Sequence, residues 1–306
     1  MVDSQDTPAH PQRPACEVRA PVRQTAPLVF SSPHSGRDYP QAFVAEANLD
    51  ALQLRRSEDA FVDEIFAAAP DFGAPLLRAL FPRAYVDANR EAYELDPAMF
   101  SEPLPDYVRT RSTRLSAGLG TIPKVVADGA VITDNPLSFN DAKSRIDRHH
   151  GAYHKALSEL LDESIARFGG VLLVDCHSMP SAGAPGVRNR ALKKVDMVLG
   201  DNHGRACSRV IAELAESTLS DLGYRVQRNR PYAGGYITRH YGRPAQGQHV
   251  LQIEINRALY MDERAIQRSP GMPGLIRDIN RLMQVLCDEV PDILGSSAPA
   301  LPQAAE

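Results

Sequence analysis

The stretch Val171-Leu-Leu-Val-Asp-Cys-His-Ser-Met-Pro180 carries the clearest signal for the fold of this chain. Its first four residues are all apolar, which is typical of a strand buried on both faces of a parallel sheet. The polar residues Asp175, His177 and Ser178 come directly after this run. In open sheets of parallel strands, ligands bind beyond the carboxyl ends of the strands. The stretch therefore predicts a central strand and, at its end, one wall of a functional site.

Strand and helix patterns alternate on both sides of this stretch. We expect extended segments at 26–32, 75–80, 83–87, 195–199, 224–227 and 249–255, and helices at 60–69, 140–168, 204–222 and 273–289. The glycine pair 169–170 is a typical end for the long helix before the central strand. The alternation predicts an α/β fold with a mainly parallel or mixed central sheet and helices on both faces.

We expect one catalytic domain over residues 27–294, because no break in composition divides that part of the chain. Residues 1–26 are rich in proline and polar residues and lack the apolar segment of a secretory signal, so they predict a disordered tail. Residues 295–306 predict a flexible C-terminal tail. Residues 94–136 are rich in proline and glycine and are too long for an ordinary connection. Whether they form a lid is left open.

Composition narrows the class of protein. The 306 residues carry a net charge of -4, which argues against a dedicated nucleic-acid binder but allows a local basic pocket for an anionic small molecule. No apolar run approaches the ~20 residues that span a bilayer, so no membrane partner is expected. Four widely spaced cysteines fit a reducing cytoplasm. Serine-hydrolase, phosphate-loop and dinucleotide motifs are absent from the sequence. The oligomeric state stays open.

Several predicted strand ends deliver polar side chains to one edge of the sheet. These side chains belong to His34, Asp87, Asn89, Arg90, Asp175, His177, Ser178, Glu254, Asn256 and Arg257. Histidines, carboxylates and arginines at one edge are typical of a metal-dependent hydrolase. A catalytic zinc ion takes three protein ligands and keeps one position open for water.

We predict His34 and His177 as zinc ligands, because each follows an apolar strand and can face a shared cavity. The third ligand should be a carboxylate. Asp59 is preferred, since an acid at a predicted helix start also interacts favourably with the helix dipole. Glu58 and Asp38 are the alternatives.

Glu254 stands between Ile253 and Ile255 in a mostly apolar strand, so its carboxylate needs a partner or a function. It is suited to act as the general base that activates the attacking water. An internal salt bridge with Arg257 or another arginine is the alternative.

Arginines are suited to bind a substrate carboxylate, because a guanidinium group offers two parallel donors. Arg90 and Arg257 are candidates at the sheet edge. Arg239 follows the pair Gly234-Gly235, in a segment that predicts either a loop closing on the substrate or a tight turn with a short helix. His150 and His154 have a spacing that can bind zinc, but without a HExxH motif we interpret them as surface or packing residues.

Five ordered strings together resemble the N-formylglutamate amidohydrolase family. They are Ser32-Pro-His-Ser-Gly36, Tyr85-Val-Asp-Ala-Asn-Arg90, Val174-Asp-Cys-His-Ser-Met-Pro180, Tyr232-Ala-Gly-Gly-Tyr-Ile237 and Leu251-Gln-Ile-Glu-Ile-Asn-Arg257. The resemblance implies a fold related to zinc carboxypeptidases and aspartoacylase-like enzymes. It implies zinc-dependent hydrolysis of N-formyl-L-glutamate to formate and L-glutamate, a last step of histidine degradation.

The resemblance also assigns roles to matching residues. It implies that His34 and His177 are zinc ligands, that Asn89-Arg90 holds a substrate carboxylate and that Glu254 is the catalytic glutamate. Arg37 stands where the wider superfamily often has its glutamate ligand. The alternatives are a zinc hydrolase of another N-acyl amino acid or small peptide, and a non-catalytic binder of acidic amino acids.

Overall fold

The computed structural model of the protein describes residues 14–126, 128–181 and 195–297. Within these ranges the main strands are, in chain order, β1 (Cys16–Arg19), β2 (Leu28–Ser32), β3 (Leu76–Ala79), β4 (Val171–Met179), β5 (Met197–Gly200), β6 (Val226–Arg228) and β7 (Gln248–Asn256). They form one sheet in the order β1-β3-β2-β4-β7-β5-β6. The pairs β3–β2, β2–β4 and β4–β7 are parallel. By contrast, β1 pairs antiparallel with β3, and β5 pairs antiparallel with β7. The predicted mixed central sheet is confirmed.

Helices cover both faces of this sheet, as predicted. The described helices are α1 (Gln41–Glu46), α2 (Ala51–Leu54), α3 (Val62–Ile65), α4 (Phe139–Arg145), α5 (Ala152–Phe168), α6 (Arg209–Asp221), α7 (Tyr236–Tyr241) and α8 (Met272–Ser297). Successive residues of β4 point to opposite faces. Leu172 and Val174 pack in a core with α6 and α8, whereas Leu173 packs in a second core with α5 and α7.

The chain between β7 and α8 contains a small hairpin that the sequence patterns did not predict. Strands β8 (Met261–Asp262) and β9 (Gln267–Arg268) form an antiparallel hairpin ahead of α8. The predicted helix at 140–168 is also not continuous, because a π-helical turn, Ile146–Gly151, lies between α4 and α5.

The N-terminal boundary differs from the prediction. Cys16–Arg19, placed in the predicted tail of residues 1–26, forms β1 on the edge of the sheet. Its residues pair with those of β3, from Cys16 opposite Ala79 to Arg19 opposite Leu76. These main-chain hydrogen bonds explain why a polar, proline-flanked segment is ordered. Residues 1–13 and 298–306 of the predicted tails lie outside the described residues.

Two predicted elements near the site are wrong. Residues 83–87 form a turn and not a strand, because the N–H groups of Tyr85 and Val86 bond to the carbonyl of Pro82. The helix predicted at 60–69 is reduced to the single turn of α3. Phe61 has a left-handed φ of 67° directly before that turn, so the helix cannot begin earlier.

The long segment 94–136 is irregular, as expected. Its described residues form short 3-10 turns at Pro97–Met99 and Leu115–Ala117 and isolated bridges to other segments. Its role as a lid stays open.

Among the described helices, none is long and apolar enough to cross a membrane. The cytoplasmic location stays a prediction from the sequence.

Candidate metal centre

The carboxyl ends of β2, β4 and β7 lie side by side and bring the candidate residues together. β2 ends at Ser32, two residues before His34. β4 and β7 pair in parallel, with His177 opposite Glu254. All three side chains are buried, with relative exposures of 1% for His34, 3% for His177 and 8% for Glu254. The strand ends therefore create a polar, enclosed site inside an otherwise apolar sheet.

His34, Asp59 and His177 form a compact group of side chains that could hold a metal ion. One possible ligand atom from each residue lies within 4.8 Å of the other two. Nδ1 of His34 lies 3.3 Å from Oδ2 of Asp59, and Nδ1 of His177 lies 3.0 Å from the same oxygen. Two imidazole nitrogens and one carboxylate oxygen are a donor set that zinc accepts.

The other nitrogen of each histidine is held by a second carboxylate. Nε2 of His34 lies 2.7 Å from Oδ1 of Asp87, and Nε2 of His177 lies 3.0 Å from Oδ2 of Asp175. Such carboxylates fix the tautomer and orientation of a metal-binding imidazole, leaving the opposite nitrogen free to accept a cation. Asp175 precedes His177 by two residues in β4, so strand alternation places both side chains on the same face.

Asp59 is positioned by contacts with its own neighbours. Its N–H donates to the carbonyl of His34 over 3.0 Å, and Oδ1 accepts from Nη2 of Arg257 over 3.0 Å. Burial by itself raises the pKa of the Asp59 carboxyl, but hydrogen bonds with His177 and His34 lower it well below the ordinary range. The group is therefore an anion ready to meet a cation.

The alternatives for the third ligand do not join this group. Glu58 accepts hydrogen bonds from the Arg55 guanidinium at 3.0 Å and from the Tyr39 hydroxyl at 2.8 Å. Among the described residues, the group of three that could hold a metal does not include Asp38. Arg37 bonds to Glu64 at 3.1 Å on the surface. Of the carboxylates considered, Asp59 is the one that lies within the group that could hold a metal.

Glu254 has the environment of a proton-transfer group. Gln252 Nε2 donates to Glu254 Oε1 over 2.9 Å. Burial, the largest effect, raises the pKa of Glu254 to about 7, with a further increase from the charge of Asp59. Within the described residues Glu254 forms no ion pair with Arg257 or another arginine, although the charge of Arg83 is near enough to lower its pKa.

Asn89 and Arg90 come from the turn that follows β3. Asn89 Nδ2 lies 3.0 Å from Nε2 of His177 and 3.4 Å from Oδ2 of Asp175. Nε2 of His150 bonds to the carbonyl of Arg90 at 2.9 Å, and Nε2 of His154 bonds to that of Ala88 at 2.8 Å. The two histidines that we interpreted as packing residues thus fix the turn that carries Asn89.

The double glycine segment leads into a short helix, one of the two structures considered for it. The N–H of Ile237, in α7, donates to Oδ1 of Asn89 over 2.7 Å. A Cβ atom at Gly235 would lie 2.3 Å from Nδ2 of Asn89, so only glycine permits this approach. Arg239 lies in the same helix, is exposed, and donates through Nη1 to the carbonyl of Gly234.

The predicted substrate-binding arginines differ in their hydrogen-bond acceptors. Nε of Arg257 donates to Ser178, and its Nη2 to the carbonyl of Glu58 and to Asp59. Nε and Nη1 of Arg90 donate to the carbonyls of Leu119 and Asn89. Most donors of these two residues are therefore used inside the protein.

Sequence reasoning missed several residues around the site. Arg83 donates through Nε to Asp87 over 3.0 Å, and Gln252 accepts from the N–H of Gly235 over 2.7 Å. Arg114 also lies in this region, in the irregular segment. Gln252 had a signal, because strand alternation places it on the face of Glu254. Arg83 and Arg114 had no such signal in the sequence, since neither residue lies within a strand or a helix of the structure.

Comparison with known proteins identifies the family. A sequence profile described as N-formylglutamate amidohydrolase matches residues 26–261. A protein of Pseudomonas aeruginosa named N-formylglutamate deformylase is 31% identical over 252 residues, or 81% of this chain and 87% of that protein. A protein of the same name from Pseudomonas putida is 29% identical over 240 residues, or 78% of this chain and 82% of that one.

A solved structure agrees with these sequence matches. The crystal structure of N-formylglutamate amidohydrolase from Ralstonia eutropha JMP134 is 34% identical and superposes with a TM-score of 0.83. The match covers 93% of this chain and 99% of the other. The chain belongs to the N-formylglutamate amidohydrolase family.

Proposed function

We propose that this protein hydrolyses N-formyl-L-glutamate to formate and L-glutamate. The observation that carries the proposal is one enclosed site that combines His34, Asp59 and His177 with Glu254. The relatives named N-formylglutamate deformylase support the choice of substrate. By the family resemblance, the reaction belongs to the end of histidine degradation.

A zinc ion is the metal that the proposal assigns to the site. Nδ1 of His34, Nδ1 of His177 and a carboxylate oxygen of Asp59 would hold it. The fit rests on donor chemistry, because both imidazoles already have Nε2 bound to a carboxylate and direct Nδ1 at Asp59. When bound, zinc lowers the pKa of water and polarises a carbonyl oxygen.

Glu254 would transfer the proton in both halves of the reaction. It takes one proton from the attacking water, whose oxygen forms a bond with the formyl carbon. It then gives that proton to the nitrogen of glutamate as the carbon–nitrogen bond breaks. The formic acid proton passes to the amine, so the products are formate and glutamate with a protonated amino group, and no further reactant is needed. A pKa of about 7 suits a group that must both accept and donate a proton.

Arg90 and Arg239 are proposed to bind a carboxylate of the substrate. Nη2 of Arg90 lies 3.7 Å from Asp87, so this nitrogen is the part of the guanidinium with most freedom to meet a ligand. We retain Arg257 only as a weaker candidate for substrate binding. Its contacts support a different role, that of holding Asp59 in place.

A substrate panel tests the proposal. Purified protein is supplied with zinc and assayed for formate and free amine with N-formyl-L-glutamate, N-formyl-L-leucine and N-acetyl-L-glutamate. The proposal expects the highest kcat/KM for N-formyl-L-glutamate, with equal amounts of formate and glutamate. A higher kcat/KM for N-acetyl-L-glutamate would show that the acyl group of the substrate is acetyl and not formyl. If none of the three compounds is hydrolysed, the proposed hydrolase activity is wrong.

A further inference from the structure

We infer that Arg114, together with Arg239, forms a subsite that binds the side-chain carboxylate of the substrate and selects acidic N-acyl amino acids. This inference rests on the proposed function, because it assigns a partner to the second carboxylate of N-formylglutamate. Arg114 was not among the residues predicted from the sequence.

The arginines near the site differ in how many of their guanidinium N–H groups are hydrogen-bonded within the protein. Arg257 and Arg90 donate mainly to protein oxygens. Arg83 donates to Asp87. By contrast, the Arg114 guanidinium has no hydrogen bond or ion pair within the described part of the chain. Arg239 has one, from Nη1 to the carbonyl of Gly234, which leaves its other donors available.

Hydrogen bonds connect the turn that carries Arg114 to Arg90. The carbonyl of Arg114 accepts from the N–H of Leu119 over 2.9 Å, which closes the turn around Leu115–Ala117. The carbonyl of Leu119 then accepts from Nε of Arg90 over 3.0 Å. Arg114 is therefore tied, through one turn, to the residue that contacts Asp87 and follows Asn89.

Arg239 belongs to a separate segment that is anchored next to Arg90. Its helix, α7, is anchored on Asn89 by the N–H of Ile237. Burial lowers the pKa of the Arg114 guanidinium, and the positive charge of Arg239 lowers it further. Two arginines from separate segments are therefore close enough to repel each other.

Neighbouring carboxylates do not neutralise this pair by contact. Asp87 and Glu94 lie near enough for their charges to raise the pKa of Arg114. However, Asp87 is bound by His34 and Arg83, and Glu94 accepts a hydrogen bond from Ser112. The repulsion between a half-buried Arg114 and an exposed Arg239 is relieved by an anion, and a planar carboxylate is the ligand that guanidinium groups recognise best.

N-formylglutamate carries two carboxylates at different distances from its amide. If Arg90 binds the nearer one, the second needs a separate set of donors. Arg114 and Arg239 supply that set, so a substrate with a neutral side chain leaves them without a partner. The loss of one charged hydrogen-bonding partner corresponds to about 10- to 100-fold in kcat/KM.

The test compares R114Q with wild type on N-formyl-L-glutamate and its neutral analogue N-formyl-L-glutamine. R111Q is the matched control, because Arg111 is an exposed arginine in the same segment and has the same change of charge. We expect R114Q to reduce the preference for glutamate over glutamine by about 10- to 100-fold, and R111Q to leave it as in wild type. R114K, which keeps the charge, should recover part of the preference. If R114Q is unstable, R114K replaces it as the test variant.

Inhibition by the product gives a second readout. L-Glutamate should inhibit R114Q more weakly than wild type, by a factor similar to the change in preference. An R114Q protein that keeps the wild-type preference, or that loses activity equally on both substrates, overturns the subsite. Absence of hydrolysis by wild type would instead reject the proposed function.

Discussion

Glu254 shows how the environment of one residue prepares a reaction. Its carboxyl group is in a strand between two apolar residues, and burial raises its pKa to about 7. The strand pattern was enough to single it out, because a carboxylate flanked by Ile253 and Ile255 has no ordinary structural explanation. Arg114 could not be found this way, because an arginine in an irregular segment looks like any solvated surface residue.

Changing Glu254 to Gln should remove proton transfer and keep the shape of the site. We expect kcat to fall by about 100- to 10,000-fold, which is the usual contribution of a general base. Zinc content should stay near that of wild type, because Glu254 is outside the group formed by His34, Asp59 and His177. Steady-state kinetics and metal analysis measure both quantities.

The matched control is Glu289→Gln, which makes the same change at an exposed position of α8. It should match wild type in kcat and zinc content. A Glu254→Gln protein with near-normal kcat would show that another group transfers the proton.

At the scale of elements, short segments between strands position the site. The turn that carries Asn89 is fixed by the π-helical turn and by α5, through the contacts of His150 and His154 with neighbouring carbonyls, and by α7 through the N–H of Ile237. The sequence predicts α5 well because its apolar periodicity is long. It misassigned residues 83–87 as a strand, because an apolar run next to a proline does not distinguish a turn from a strand.

Gly235→Ala tests the approach of α7 to Asn89. The added methyl group would lie 2.3 Å from Nδ2 and 2.4 Å from Oδ1 of Asn89, so one segment must move. We expect kcat/KM to fall by about 100-fold, which is typical of a displacement near 1 Å at a site. Gly274→Ala is the control, since its nearest contact, Nη2 of Arg277, is at 3.7 Å. Full activity in a folded Gly235→Ala protein would contradict this role for the glycine.

His154 should make stability depend on pH. Burial, the largest effect, and the charges of His150 and His240 together lower its pKa to about 3. Below its ordinary pKa of about 6.5, the unfolded chain binds a proton that the folded protein excludes, so stability falls as the pH drops from about 6.5 towards 3. The contribution of one such group is at most about 1.4 kcal/mol per pH unit.

His154→Gln should therefore lose less stability than wild type between pH 7 and pH 4.5, as measured by urea unfolding at each pH. Gln can still donate to the carbonyl of Ala88, which keeps the turn attached. His203→Asn is the control at an exposed histidine, and it should follow the wild-type curve. An unchanged pH dependence in His154→Gln would show that its folded pKa is not depressed.

At the scale of the whole molecule, the sheet brings together residues that are far apart in the sequence. His34 and Glu254 are separated by most of the chain, yet β2, β4 and β7 are neighbours and end at one edge. The burial of β4 on both faces could be predicted from its apolar run. The position of polar residues at its carboxyl end could also be predicted from the sequence. The antiparallel edge strand β1 could not, because its four residues form only a short pattern within a proline-rich segment and pair with a distant segment, β3.

The central claim is that His34, Asp59 and His177 hold one catalytic metal ion. The most direct measurement is the metal content of the purified protein together with formate release from N-formyl-L-glutamate, before chelation, after chelation and after zinc is restored. We expect near one zinc per chain, loss of formate release with the metal, and recovery when zinc returns. Undiminished formate release from metal-free protein would contradict the claim.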